Sequence, residues 1–335
     1  MRVELPKMND WTDEVFGLHN EKDLPFIALR LFQFQFEQNP LYHDYCRALG
    51  RTPDTVRRLE DIPFLPISFF KSHRIATTRF EHQALFESSG TTGTIASRHY
   101  VRETGLYERS FTEAFRLFYG DVRDYCILGL LPSYLERGQS SLVYMVDRLI
   151  RDSGHPESGF YLHDRQKLND TLHRLEAAGQ KTLLIGVTYA LLYFSADWPQ
   201  QLRHTIVMET GGMKGRGREL TRAELHAALR AGFGVDEIHA EYGMTELLSQ
   251  AYAIDGRFQT PPWMQIQLRD ETDPFDLLPR RAGVSGGMNI IDLANIYSCA
   301  FIATEDIGRW LDDGCFEVLG RMDHSDIRGC SLLTV

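Results

Sequence analysis

The sequence predicts an α/β protein, a mixed sheet flanked by helices and continued into a small β-rich region. Three observations carry that expectation. Between about residues 84 and 246, short apolar runs alternate with amphipathic stretches at helical spacing, the pattern of strands covered on both faces. After residue 250 the chain becomes strand-rich, with Gly and Asp at the breaks. Before residue 84 it reads as helical.

Taken in order, "LPFIALRLFQFQFEQN" is an aromatic-rich helical stretch, and Pro40, Pro53, Pro63 and Pro66 punctuate the chain beyond it. Phe32, Phe34 and Phe36 read chiefly as core. "FLPISFFKSHRI" reads as a docking segment without a clear period, and "ALFE" as a short strand. The helices expected next are "ETGLYERSFTEAFRLFYG", "SSLVYMVDRLIRD", "RQKLNDTLHRLEAAGQ" with a terminal glycine cap, and "RAELHAALRAGFG". The strands between them are "YCILGLLP", "KTLLIGV", "HTIVMETGG" and "VDEIHAEYGMTE", the last two running into turns.

Composition limits the function. The chain has 335 residues, 43% hydrophobic and 24% charged, an ordinary globular balance with room for a large core. Its 36 basic and 46 acidic residues give −10, and no basic run tracks a phosphate backbone, so nucleic acid is not the expected partner. The N-terminus lacks the apolar stretch of a signal peptide and no segment suits a membrane span, so a cytoplasmic address is expected. Five scattered cysteines, Cys46, Cys126, Cys299, Cys315 and Cys330, form no CxxC pair and read as free thiols. The twelve histidines form no HExxH or paired ligand motif; His239, just before "AEYGMTE", either lines a pocket or is structural.

The most informative stretch comes after the "ALFE" strand: Ser88, Ser89, Gly90, Thr91, Thr92, Gly93 and Thr94 stand in one row. Amides of a glycine-rich turn can converge on an anion, and hydroxyls add donors, which is what a polyphosphate cradle needs. It is not a Walker A loop, because Gly-Lys-Ser/Thr is missing. A flexible surface loop has the same composition, so the row alone leaves both readings open. Further on come "ETGGMKG" (209–215), "EYGMTE" (241–246), "TEDIG" (304–308) and "GRMD" (320–323). Each is weak by itself, and their order and spacing carry the signal.

Together these motifs resemble the adenylate-forming superfamily of acyl-CoA ligases, luciferases and peptide-synthetase adenylation domains, over about residue 84 to the C-terminus. The resemblance implies ATP and Mg²⁺. Ser88, Ser89, Gly90, Thr91, Thr92 and Gly93 would hold the β- and γ-phosphates, and Thr245 and Glu246 the α-phosphate and the metal. Tyr242 and the Gly211–Gly212 turn would face the adenine, with Asp306 on the ribose hydroxyls and Arg321 assisting. One departure stands out: where the family loop continues to a lysine, this chain reads "GTIASRHY", and Arg98 is the candidate replacement. Lys and Arg are not equivalent at a phosphate.

Family members carry a further small domain after the "GRxD" hinge, whereas here 12 residues come after Asp323. The expected organisation is a helical segment over 1–80, an adenylate-forming core over 81–323 and a tail over 324–335. "LPSYLERGQSSLVYM", "FLPISFFK" and "IRGCSLL" resemble the acyl-protein synthetases of the bacterial bioluminescence fatty-acid reductase complex. That likeness implies activation of a fatty acid and its transfer to the chain's own Cys330, then to a partner reductase or carrier protein. A thiolate is a strong nucleophile toward the mixed anhydride, and Arg328 could ease its ionisation.

Three rivals stand beside this reading. The acceptor could be a carrier-protein or coenzyme A thiol, or the chain could be a degenerate, non-catalytic nucleotide-binding subunit. Third, "GVSGG" (283–287) matches a nucleophile elbow at Ser285, with Asp306 and His324 in hydrolase order. That elbow needs a strand-to-helix turn, and the residues after Ser285 read as β-structure.

Overall fold

The computed structural model describes residues 8–20, 22–88, 95–132, 138–211 and 221–322. The chain opens with α1 (Met8–Phe16), α2 (Leu24–Gln38) and α3 (Pro40–Ala48). Leu24, Ile27, Leu31, Phe32 and Phe36 bury α2 on several faces, as a helix without a clean polar stripe must be. Asn39 ends α2 and caps α3, its side chain accepting from the Tyr42 amide at 3.1 Å, while Pro40 begins the next helix. The docking segment becomes β1 (Leu65–Pro66) and α4 (Phe69–Ser72). Next comes a two-stranded antiparallel hairpin, β2 (Ala84–Glu87) with β3 (Arg98–Val101).

Alternation then proceeds through α5 (Thr104–Tyr119), β4 (Cys126–Leu130), α6 (Ser141–Ser153), β5 (Gly159–Phe160), α7 (Arg165–Ala178) and β6 (Thr182–Val187). It continues with α8 (Thr188–Asp197), β7 (Thr205–Thr210), α9 (Arg222–Phe233) and β8 (His239–Tyr242). The helix ends are where the sequence marks them. Ser140, Asp164 and Thr221 cap the starts of α6, α7 and α9, and Gly154, Gly179 and Gly234 close them in the left-handed conformation. The sequence did not mark α8: "TYALLYFSAD" has no amphipathic period and no side-chain cap.

Strands β9 (Ala251–Ile254), β10 (Arg257–Gln259), β11 (Met264–Arg269), β12 (Ser285–Asp292), β13 (Phe301–Trp310) and β14 (Phe316–Arg321) form the β-rich part. They extend the same sheet. Its twelve strands run β11-β12-β13-β14-β10-β9-β8-β7-β6-β4-β5, with β1 added parallel to β13. From β5 to β8 the pairing is parallel, and from β8 to β11 it is antiparallel.

Side chains alternate between two cores, as the strand period requires. Ile127, Leu183, Ile185 and Met208 join the larger core with α1–α3, α5 and α6. Leu128, Leu184 and Val207 join the other with α7–α9. Ser285 begins an eight-residue strand and pairs with Arg309, so the strand-to-helix turn of a hydrolase elbow is absent there. Among the described residues, no helix is long and apolar enough to cross a membrane.

Candidate active site

Strand β8 lies at the seam, parallel to β7 on one side and antiparallel to β9 on the other. The chain leaves it in a turn that carries Thr245 and Glu246. Ligands of open α/β sheets gather beyond the carboxyl ends of such strands. Here three distant segments converge. The Tyr242 hydroxyl donates to Asp306 Oδ2 at 2.7 Å. Asp306 faces Arg321 across the β13–β14 ladder, with 3.5 Å between Oδ1 and the guanidinium Nε. The Asp306 side chain is 13% exposed and that of Arg321 is 79% exposed, so the cation forms the rim.

Burial raises the Asp306 carboxyl above its ordinary value, while the Tyr242 bond and Arg321 oppose that shift. Burial likewise lifts the Tyr242 hydroxyl well above its usual range, so it remains a donor. Glu246 is also buried and raised by desolvation, with the Ser97 side chain, Arg321 and Lys71 pulling it down. Lys71 lies on α4, in the "FLPISFFK" stretch.

The hairpin brings the start of the Ser/Thr/Gly row to this turn. Ser88 donates its amide to the Ser97 carbonyl at 3.1 Å, and its hydroxyl accepts from the Ser97 amide at 2.9 Å. Ser89, Gly90, Thr91, Thr92 and Gly93 lie outside the described residues, as do Gly212 and Cys330. Gly211 follows β7 with φ +70, a conformation that favours glycine. Arg98 pairs with Glu87 across the hairpin at 3.5 Å and is half-exposed. Its charge is thus shared with a carboxylate of its own hairpin.

The residues present suit a nucleotide and a hard divalent cation. Asp306 supplies the carboxylate acceptor a vicinal diol needs. Thr245 and Glu246 offer the oxygen ligands Mg²⁺ prefers.

Several residues around the turn carried no sequence signal. His99 Nδ1 donates to the Thr245 carbonyl at 2.8 Å, and Asn295 Nδ2 to the Glu246 carbonyl at 2.7 Å. Asp292 accepts from the amides of Leu248 and Ser249 at 2.7 and 3.0 Å, and from the Ser249 hydroxyl at 2.6 Å. Their partners are mostly backbone atoms, which no residue pattern betrays. His239 meets the Tyr119 hydroxyl at 3.2 Å, a structural pairing. Among the described residues, no cluster of His, Cys, Asp or Glu could hold a metal by itself.

No protein-family model matches the sequence. The long-chain-fatty-acid–luciferin-component ligase of Vibrio harveyi is 24% identical over 347 residues, covering 96% of this chain and 90% of that protein. That of Aliivibrio fischeri is 24% identical over 326 residues, 91% of this chain and 83% of its own. The chain is a homologue of these ligases. Its fold is that of the adenylate-forming superfamily. ATP-bound MatB from Rhodopseudomonas palustris superposes with a TM-score of 0.54 at 18% identity, over 84% of this chain. 2-Hydroxyisobutyryl-CoA ligase in its postadenylation state gives 0.62 at 11% identity, over 91%. This homologue spans 58% of the MatB chain and 69% of the second. It is an enzyme of the ligase class, and its sheet and the Tyr242–Asp306 pairing belong to one continuous fold.

Proposed function

We propose that the protein activates a fatty acid with ATP and passes the acyl group to a thiol, its own Cys330, for delivery to a partner reductase or carrier protein. The observation that carries this reading is the meeting of Tyr242 and Asp306, 64 residues apart, beside the Thr245–Glu246 turn. The relatives' names supply the fatty-acid substrate, and the ATP-bound neighbour supports ATP.

In this reading Asp306 accepts the ribose hydroxyls, Arg321 closes the rim, and Tyr242 with the Gly211–Gly212 turn borders the base. The row Ser88 to Gly93 holds the β- and γ-phosphates with uncharged donors. Mg²⁺, held by Glu246, would offset charge on the phosphates. The acid's carboxylate oxygen attacks the α-phosphorus, the bond to the bridging oxygen breaks, and pyrophosphate leaves. A thiolate then attacks the acyl carbon, the acyl–phosphate bond breaks, and AMP departs with the electron pair. Fixing both partners contributes on the order of 7–11 kcal/mol toward such barriers.

Four thiols are poor candidates for that second step. Cys46, Cys126, Cys299 and Cys315 are all buried. Burial pushes Cys46 up to about 12 and Cys126 up to about 11, and raises Cys299 and Cys315 as well. A thiol held protonated is a weak nucleophile. Cys330 is left as the acceptor within the chain.

The test is incubation with Mg²⁺, ATP and radiolabelled fatty acids of several lengths, then denaturing gels beside Cys330→Ser. The expected result is an ATP-dependent, hydroxylamine-sensitive band that the substitution abolishes. Adenylate without a labelled band would move the acceptor to another molecule. No adenylate with any acid would overturn the catalytic reading.

A further inference from the structure

Thr245 and Glu246 sit in a turn, without strand pairing of their own. Two side chains outside the proposed chemistry hold that turn from separate segments. His99 comes from β3 and bonds the Thr245 carbonyl, 146 residues away. Asn295 comes from the connection between β12 and β13 and bonds the next carbonyl, that of Glu246. Both donors are fully buried, His99 at 1% and Asn295 at 0% exposure.

Each donor is itself fixed. The Phe70 ring meets His99 edge-on at 5.9 Å. Gln35 of α2 donates to the carbonyls of Asn295 and Ile296 at 2.8 and 3.0 Å, and accepts from the Ala300 amide at 2.9 Å. Asp292 anchors the residues just beyond the turn through the Leu248 and Ser249 amides.

Two successive carbonyls bonded to rigid donors fix two successive peptide planes. The α-carbon between them is that of Glu246, which is fixed on both sides, while that of Thr245 is fixed on its carbonyl side. Rotating either plane would strand a buried donor.

We infer that His99 and Asn295 are positioning residues, which clamp the Thr245 and Glu246 carbonyls and so set the angle at which the Thr245 hydroxyl and Glu246 carboxylate meet the ligand. The inference rests on the proposed roles of Thr245 and Glu246 at the phosphate and the metal. The Thr245 carbonyl oxygen can only accept, so the proton between it and the imidazole sits on His99 Nδ1.

The test uses His99→Leu, Asn295→Leu and His99→Asn, the last because an asparagine amide nitrogen can stand where Nδ1 stood. Two readouts are taken: amide hydrogen exchange over residues 243–250 without ligand, and acid-dependent ATP–pyrophosphate exchange. In both leucine variants, exchange over 243–250 should accelerate about tenfold, the equivalent of one lost hydrogen bond. The pyrophosphate-exchange kcat should fall about 10- to 100-fold, as for a site displaced by about an ångström. The KM for the acid should stay within about twofold. His99→Asn should restore both readouts.

The inference fails if exchange over 243–250 is unchanged, if it rises equally throughout the protein, or if asparagine restores nothing. Should the leucine variants not fold, His99→Asn is compared with His99→Gln, which places its donor at the other ring position. Equal behaviour of those two overturns the clamp. If the wild type activates no acid, the proposed function falls while hydrogen exchange still decides the clamp.

Discussion

The two halves of the sheet solve the same problem differently. Between β4 and β8, strands and helices are joined mainly by apolar side chains. Phe194, Phe233, Leu172, Leu184 and Leu229 fill the face under α7–α9, with the uncharged polar groups Thr171, Thr188, Ser195 and Gln200 buried beside them. Between β11 and β14 the core is threaded with polar groups. Arg269 is buried without a carboxylate partner among the described residues, bonding Asn289 at 2.8 Å and the Thr304 carbonyl at 2.5 Å. Gly287 makes room for it, since a Cβ there would lie 2.9 Å from the guanidinium carbon. Asp292, Asn295, Gln35 and Asn39 tie loops in the same way. Apolar burial holds the half whose elements are regular. Specific hydrogen bonds hold the half whose loops must keep a shape.

That contrast can be broken at its strongest point first. Phe194→Ala, on the apolar side, should remove about 3–5 kcal/mol of unfolding free energy. Phe194 is fully buried and stacks on Phe233 and Trp198. Urea denaturation reads the loss directly. A cost below about 1 kcal/mol would mean that the α8 side is loosely packed.

Asp292→Leu tests the polar side with an apolar side chain of the same branching. It takes the acceptor from the amides of Leu248, Ser249 and Ala294, and leaves the Ser249 hydroxyl with Ser110 alone. A loss of about 2–4 kcal/mol in the same titration is expected. An unchanged or raised midpoint would show that apolar filling serves that half just as well, as happens for some buried ionic groups.

Glu241, at the seam, sharpens the comparison through pH. Burial pushes its carboxyl up to about 7, with the Thr210 hydroxyl opposing and the Glu209 charge adding to the rise. An acid raised on folding favours the native state while protonated. Its contribution is complete below about pH 4.5 and is lost as pH rises through 7. Over that window wild type should lose up to about 3 kcal/mol relative to Glu241→Gln. Parallel pH profiles for the two proteins would place the Glu241 carboxyl outside the low-dielectric core.

The same division explains what the sequence revealed. Strands β4, β6 and β7 and helices α5, α6, α7 and α9 were legible because period and caps are written in adjacent residues. Asn39, Ser140 and Thr221 are caps whose side chains accept from backbone amides three positions on. Helix α8 was not legible, because its solvent face carries apolar residues too, Tyr193 at 51% exposure among them, so hydropathy sets no period. Tyr242, Asp306, Thr245 and Glu246 were singled out through motif order, and the first two meet at hydrogen-bonding distance. His99 and Asn295 were missed because each acts on a distant carbonyl that every residue type possesses. Lys71 was quoted only within a family-like stretch, and its charge on Glu246 depends on α4 folding beside β3.

Gln35 and the carbonyl it grips are 260 residues apart. During synthesis at about 5–20 residues per second, α2 would leave the ribosome tens of seconds before its polar partner exists. Throughout that interval Phe32 would have no Phe301 of β13 to pack against, although helices α2 and α3 could already pair. The amino-terminal helices are therefore made first and finished last, and the newborn chain must shelter an apolar surface until its final strands arrive.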